Sequence, residues 1–357
     1  MEDDIICTRP CPDCYICGTR GEPLYQGLQD RLFGCLGTWD LKKCPNSGCG
    51  LLWLDPMPTE QDISKAYLNY YTHKQTEQVG NRYPFLSYLS RKAEKGYLCL
   101  RYGYKTATSF FQKFLGLLIF VDPPRRAALD FSVFYLPPKL NGLLLEVGCG
   151  SGDMLKRMEL LGWKVEGVDS DPQAVYAARC KDLSVRVGML ASQRYTDNRF
   201  DAIVMSHLIE HVHDPIGLLQ ECHRVLKYGG RLVIVTPNVS SMLHKKFRHK
   251  WRGLEPPRHL HLFTRNSLHA IAERARFIVL SVSTSIRDAN GTYLASWNIK
   301  QHSFHTCGSR GGKSERLVGK CFQLIEWLGA RLDPDLGEEL VMVAEKGVEE
   351  KIITNGL

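Results

Sequence analysis

The chain has 357 residues, 44% of them apolar and 24% charged, with a net charge of +8. Those figures suit a globular protein of two or more modules and exclude a disordered or fibrous chain, while the positive balance hints at an anionic partner. No run reaches the roughly 18 uncharged apolar residues of a membrane-spanning helix. The acidic start Met1-Glu2-Asp3-Asp4 lacks the layout of a signal peptide, so a cytoplasmic protein is expected.

Seven of the 13 cysteines fall in the first 49 residues. In a cytoplasmic chain such clustering suggests metal rather than disulfides. Cys14-Tyr15-Ile16-Cys17-Gly18 is one knuckle and Cys44-Pro45-Asn46-Ser47-Gly48-Cys49-Gly50 a second. Four thiolates from two such turns can surround a structural Zn2+ and leave no open position. Cys11-Pro12-Asp13-Cys14 has the same spacing, so the register is ambiguous. Cys14 and Cys17 are preferred because Gly18 mirrors Gly50. Residues 22–43 between the knuckles read as a short hairpin, and Pro56 and Pro58 close a module over 1–58.

Residues 59–137 form a second region, with a helix expected over 60–71. Residues 81–137 are rich in Tyr, Phe and Leu with scattered Lys and Arg. An amphipathic helix over 109–121 is read as packing on the core, in preference to a lid or a peripheral membrane contact.

The third region, 138–347, carries the strongest pattern. Leu143-Leu144-Leu145-Glu146-Val147 reads as a buried strand. Gly148-Cys149-Gly150-Ser151-Gly152 is a tight turn, and a helix opens at Asp153. About twenty residues on, Val165-Glu166-Gly167-Val168-Asp169-Ser170 ends a second strand in an acid, the arrangement that holds a nucleoside. The glycines alternate, unlike the dinucleotide spacing, and Glu146 would repel a pyrophosphate. A carboxylate there suits a ligand with an ammonium group and no phosphate, and S-adenosylmethionine is such a ligand. Phe200-Asp201-Ala202-Ile203-Val204-Met205-Ser206 reads as a further strand, and 218–227 as an amphipathic helix. Gly229-Gly230 is a turn into another strand, and Glu339-Leu340-Val341-Met342-Val343-Ala344-Glu345-Lys346 is a last strand. The tail 348–357 reads as frayed.

The run Glu146-Val147-Gly148-Cys149-Gly150-Ser151-Gly152 resembles motif I of the class I S-adenosylmethionine-dependent methyltransferases. The cysteine module and the later stretch from Trp251-Arg252-Gly253 through Pro256-Pro257-Arg258-His259-Leu260-His261 to Thr264 extend the likeness over nearly the whole chain. They look like the zinc-ribbon-bearing members of the type 11, 12 and 23 methyltransferase-domain groups, many of them in surface-polysaccharide or specialised-metabolite biosynthesis. The resemblance implies an α/β, Rossmann-like seven-stranded core with a small zinc-ribbon-like module and a helical linker, and a last strand paired at the sheet edge. It implies cofactor contacts at Glu146, Gly148, Cys149, Gly150, Gly152, Asp169, Ser170, Met189, Leu190, Ser206 and His207. Asp169 would take the ribose hydroxyls, and Met189 and Leu190 would lie by the adenine.

Methyl transfer needs positioning and, for a hydroxyl or carbon acid, a base. His207 and His211 follow the strand over 200–206, and His259 and His261 lie beyond the next strand; any of the four can take a proton near neutral pH. If residues 258–262 are extended, His259 and His261 share a side. Arg258 can bind an anionic acceptor or tie its loop to the core, and Trp251 can wall the site or pack. Ubiquinone-biosynthesis O-methyltransferases, which resemble the chain here, build a divalent-metal site from two glutamates and a histidine. Glu210 and His211 match, but His207 replaces the first acid, so a catalytic metal is not expected. His302 and His305, in the Gly- and Ser-rich stretch 301–313, are read as part of a mobile loop without chemistry.

The leading reading is a small-molecule methyltransferase. Two alternatives remain: RNA methylation, with the basic stretch 245–252 and the cysteine module gripping RNA, or a non-catalytic S-adenosylmethionine-binding protein.

Overall fold

The computed structural model describes residues 6–68, 84–106, 109–302 and 312–347. The acidic start 1–4, the end of the helix expected over 60–71, most of the loop over 301–313 with His305, and the tail 348–357 lie outside the described residues.

Thirteen strands are described. Those at the front are β1 (Thr8–Arg9), β2 (Glu22–Leu28), β3 (Trp39–Lys43), β4 (Leu52–Leu54) and β5 (Met57–Pro58). The core supplies β6 (Leu143–Val147), β7 (Lys164–Asp169), β8 (Val185–Val187), β9 (Phe200–Ser206) and β10 (Leu226–Pro237), then β11 (His261–Leu262), β12 (Phe277–Ser285) and β13 (Glu339–Lys346). A seven-stranded sheet runs β12-β13-β10-β9-β6-β7-β8. Strands β8, β7, β6, β9 and β10 are mutually parallel, and β13 is antiparallel to both neighbours. Strands covered on both faces read as unbroken apolar runs, which is why β6 and β9 stand out in sequence. As expected, the last strand pairs with an earlier strand at the sheet edge: β13 lies between β10 and the edge strand β12.

The helices are α1 (Pro84–Tyr102), α2 (Phe110–Leu117), α3 (Pro123–Phe131), α4 (Asp153–Leu160) and α5 (Pro172–Arg179), then α6 (Pro215–Val225), α7 (Met242–Phe247), α8 (Arg265–Arg274), α9 (Ala289–His302) and α10 (Lys313–Leu332). Asp171 and Asp214 accept hydrogen bonds from the first-turn amides of α5 and α6, and each is followed by a proline whose missing N–H costs nothing there. In place of the helix expected over 60–71 there is a single 3-10 turn, Ile63–Tyr67. Asp62 accepts from the Cys7 amide at 2.8 Å, which ties this turn to the front lobe.

The front lobe is not free-standing. β2 and β3 form the expected hairpin, β4 pairs with β3, and β11 from the far side of the core adds the fourth strand beside β4. Lobe and core share one buried apolar cluster, with Leu51, Trp53 and Leu54 packed among Leu260, Leu262 and Phe263.

The helix expected over 109–121 forms as α2 followed by a 3-10 turn, Leu118–Val121. Ser109 and Gln112 make a reciprocal capping box. Its packing reverses the expectation. Gln112, Gly116 and Ile119 face inward against α1, while Phe110, Phe111, Phe114, Leu117, Leu118 and Val121 are exposed.

Candidate active site

The turn between β6 and α4 takes positive φ at Gly148 (76°), Gly150 (51°) and Gly152 (75°). Asp169, at the end of β7, accepts from the Gly150 amide at 2.7 Å and from the Asp171 amide at 2.9 Å, clipping the turn to its neighbouring strand. A Cβ at Gly150 would meet nothing within 4 Å, so there is open space above the turn.

Glu146 is 4% exposed, and its Oε2 has no hydrogen-bond partner among the described residues. Burial, followed by the charges of Asp169 and Asp153, pushes its carboxyl well above the usual range. A cationic group seated there would supply the missing partner and reverse that penalty, so the residues present fit the ammonium end of S-adenosylmethionine. Ser170 and Met189 are exposed beside Asp169 and Gly188, whereas Leu190 and the Cys149 thiol are buried in the core. Leu190 and Cys149 therefore offer backbone atoms rather than side chains to a ligand.

At the end of β9, His207 adopts φ +52° and its amide donates to the Val235 carbonyl at 2.8 Å. Its Nε2 lies 2.9 Å from Glu339 and its Nδ1 3.4 Å from Glu210. Burial opposes the charged ring, but the two carboxylates prevail and raise its pKa to about 10. His207 Nε2 also lies 3.1 Å from the Arg287 guanidinium, so both ring nitrogens are already engaged by neighbouring side chains. Arg287 pairs with the same Glu339 and lies over the Phe131 ring.

His211 and His259 meet edge to face, ring centroids 4.7 Å apart. His211 Nδ1 lies 3.0 Å from the Arg258 carbonyl and 3.0 Å from the Tyr67 hydroxyl, and His259 Nδ1 lies 2.7 Å from the Gly253 carbonyl. A carbonyl only accepts, so each Nδ1 carries a proton, and Nε2 is the nitrogen left to exchange one with a ligand. Burial, the largest influence, lowers His259 to about 4 and keeps it neutral. Glu210 is fully buried and accepts from Thr236 at 2.9 Å. Burial would raise its carboxyl, but the contact with His207 holds it at about 2. Ligand atoms of Glu210, His211 and His259 lie within 4.8 Å of one another.

The profile of a methyltransferase-domain family matches residues 123–282, the span that carries β6 to β11, the glycine turn and the histidines. Over residues 123–282 the chain carries a methyltransferase domain. It is 36% identical over 104 residues to a ubiquinone biosynthesis O-methyltransferase of Xanthomonas oryzae pv. oryzae, covering 27% of this chain and 43% of that protein. To the human mitochondrial ubiquinone biosynthesis O-methyltransferase it is 36% identical over 115 residues, 29% of this chain and 31% of that protein. The chain thus spans less than half the length of these curated relatives. A solved S-adenosylmethionine-dependent methyltransferase from Mesorhizobium loti superposes with a TM-score of 0.43 at 15% identity, over 61% of this chain and 97% of that one.

His259 and His261 depart from the expected arrangement, while Arg258 and Trp251 take the packing alternative. Residues 255–259 form a turn, with the Arg258 and His259 amides both donating to the Glu255 carbonyl, so His259 and His261 do not share a side. His261 is buried under the front lobe against Tyr15, away from His211. Arg258 is fully buried, makes two 2.8 Å hydrogen bonds to Asp30 and a third to Glu255, and lies over the Phe33 ring. It ties the lobe to the domain and offers nothing to an anionic acceptor. Trp251 is packed, donating to Glu338 at 2.8 Å. Removing one member of a buried ion pair strands its partner. Arg258→Ala is therefore expected to lower unfolding stability by about 3–5 kcal/mol, read from the urea midpoint.

The sequence gives no pointer to Glu339, Arg287 or Tyr67 as parts of this site. The one visible hint is the acidic pair Glu338-Glu339 opening an otherwise apolar strand.

At the front, the sulfurs of Cys14, Cys17, Cys44 and Cys49 all lie within 4.8 Å of one another. Two of the separations are 3.7 and 3.4 Å. Zn–S bonds of about 2.3 Å in a tetrahedron place sulfurs about 3.8 Å apart, so the donor set fits zinc. Gly18 (φ 72°) and Gly50 (φ 64°) complete the two turns. Among the described residues, Cys7, Cys11 and Cys35 stay outside the cluster.

Proposed function

We propose that the chain transfers the methyl group of S-adenosylmethionine to a hydroxyl oxygen of a small-molecule acceptor. The observation that carries this reading is the unpartnered carboxylate of Glu146 beside Asp169, next to a strand end whose two imidazoles each leave Nε2 to exchange a proton with a ligand. The relatives' names support O-methylation. When bound, S-adenosylmethionine supplies a methyl group on a sulfonium that an oxygen can displace in line. Glu146 holds the ammonium, Asp169 the ribose hydroxyls, and the Gly148–Gly152 backbone allows close approach. His207, held between Glu210 and Glu339, orients the floor of the site. His211 Nε2 takes the acceptor's proton, with Tyr67 and the Arg258 carbonyl fixing its tautomer.

A neutral imidazole matches a phenolic hydroxyl, whose pKa near 10 is within reach, better than a sugar alcohol. The four clustered thiolates hold a structural zinc that fixes the lobe against the domain. One observation favours a second reading of the histidines: Glu210, His211 and His259 are a donor set for a divalent cation, each histidine having its other nitrogen bound to a carbonyl. A cation there would supply Lewis acidity to the acceptor oxygen.

The test is transfer of radiolabelled methyl from S-adenosylmethionine to a panel of phenols and sugar alcohols, before and after dialysis against a chelator too weak to strip a four-thiolate zinc site, with the zinc content checked afterwards. Labelled phenol ethers, lost in His211→Ala and kept after chelation, are expected. Transfer that vanishes with chelation and returns with Mg2+ or Mn2+ would favour the cation reading, and label on nitrogen or carbon alone would overturn O-methylation.

A further inference from the structure

The structure assigns a membrane-docking face to the helical pair in front of the domain. We infer that α2 and the turn Leu118–Val121 seat on an anionic phospholipid bilayer. This inference stands apart from the methyl-transfer reading, since none of its residues belongs to the site above.

The helix is inside out for a soluble protein. It buries a glutamine and a glycine and shows water its phenylalanines. Phe110 is 85% exposed and Val121 81%, and Phe111, Phe114, Leu117 and Leu118 are each half exposed or more. At the helical angle per residue these six share one face, opposite Gln112, Gly116 and Ile119. Monomers rarely leave so many adjacent large apolar side chains uncovered without a partner. The exposure is built in. A Cβ at Gly96 would lie 1.8 Å from the Gln112 carbonyl oxygen, and one at Gly116 would lie 2.4 Å from the Gly96 backbone. The α1–α2 crossing is thus backbone against backbone, and rotating α2 to bury its phenylalanines would drive larger side chains into that contact.

Charge selects the partner. Described residues 84–106 and 109–126 hold eight lysines and arginines against two acids, a net of +6 in a chain whose total is +8. One of the acids, Glu94, is already paired with Arg157. Lys113 flanks the apolar face, and Lys92 lies 4.4 Å from the Tyr88 ring and 5.9 Å from that of Phe111. Apolar rings beneath a collar of lysines suit a bilayer interface, where stems lie along acyl chains and ammonium groups reach lipid phosphates. A second copy of the chain on this face would bring two net-positive segments together, which argues against a dimer.

The docking helices are joined to the site through α3. Tyr97 and Tyr102 of α1 donate to Asp130 of α3 at 2.6 and 3.0 Å. Phe131, at the end of α3, carries Arg287, the partner of Glu339.

The experiment is vesicle flotation of the full chain, with phosphatidylcholine alone or with added phosphatidylglycerol. The wild type is expected to float with the anionic vesicles and not the neutral ones. Phe110→Ser with Phe114→Ser should cut the bound fraction about tenfold, and Lys113→Glu should weaken binding to the anionic vesicles several-fold. Leu140→Ser, an exposed leucine outside these helices, should float like the wild type. Circular dichroism spectra matching the wild type show the variants are folded. No flotation of the wild type, or undiminished flotation of the phenylalanine variant, overturns the inference. So does a dimer seen by light scattering that the phenylalanine variant abolishes without any vesicle binding.

Discussion

Cys44→Ser is expected to release one zinc per chain and to lower stability by more than about 5 kcal/mol, because a structural zinc site contributes its binding free energy to folding. The effect should reach well beyond the lobe. Cys49 accepts at its carbonyl from the Thr264 hydroxyl at 2.6 Å, β4 carries β11 as a neighbour, and Asp30 of the lobe anchors Arg258. The Arg258 carbonyl in turn fixes His211, and the next residue is His259. A loosened lobe therefore misplaces the candidate base, and methyl transfer should fall more than tenfold, roughly the loss that follows a small misplacement of a reacting group. Metal content by plasma mass spectrometry and thermal unfolding check both points. Cys11→Ser is the matched control, since its sulfur is outside the cluster. If Cys11→Ser loses the zinc and Cys17→Ser keeps it, the register of the site is the other one.

What the sequence shows and hides follows from the range of the interactions. Strands β6, β9 and β13 are legible because a strand covered on both faces needs a continuous apolar run, β7 by the acid that ends it about twenty residues after the glycine turn, and the glycine turn and cysteine knuckles are local patterns. The charge state of His207 is not local. It depends on Glu339, 132 residues later, which the insertion of β13 beside β10 brings to the end of β9. The alternation expected over 258–262 fails because Glu255, at φ +35°, starts a turn in which the backbone folds back on itself. In α2, periodicity identifies which residues share a face. It says nothing of which face is buried, and here the close approach of Gly96 and Gly116 decides that against hydrophobicity.

Glu146→Gln is expected to weaken S-adenosylhomocysteine binding by about 100-fold, and it should do so with a pH signature that a merely structural residue would lack. In the free protein the Glu146 carboxyl titrates well above the usual range, so around and below that raised pKa it is protonated. Seating an ammonium group against it requires loss of that proton. Affinity should thus rise about tenfold per pH unit until the raised pKa is passed, and then level off. The stability of the free protein runs the other way. The folded state holds the proton more tightly than the unfolded chain does, so stability falls as pH climbs from the ordinary carboxylate range through the raised pKa. Bound ligand removes that fall, and Glu146→Gln removes both slopes. Asp169→Ala is expected to weaken binding by a similar factor, through loss of the ribose acceptor and of the clip on Gly150, while keeping the pH dependence. Its window should move to lower pH, because Asp169 is the largest charge raising Glu146. Calorimetric titrations of the three proteins across pH separate these outcomes. A pH slope that survives intact in Glu146→Gln would mean that another group receives the cofactor's cation.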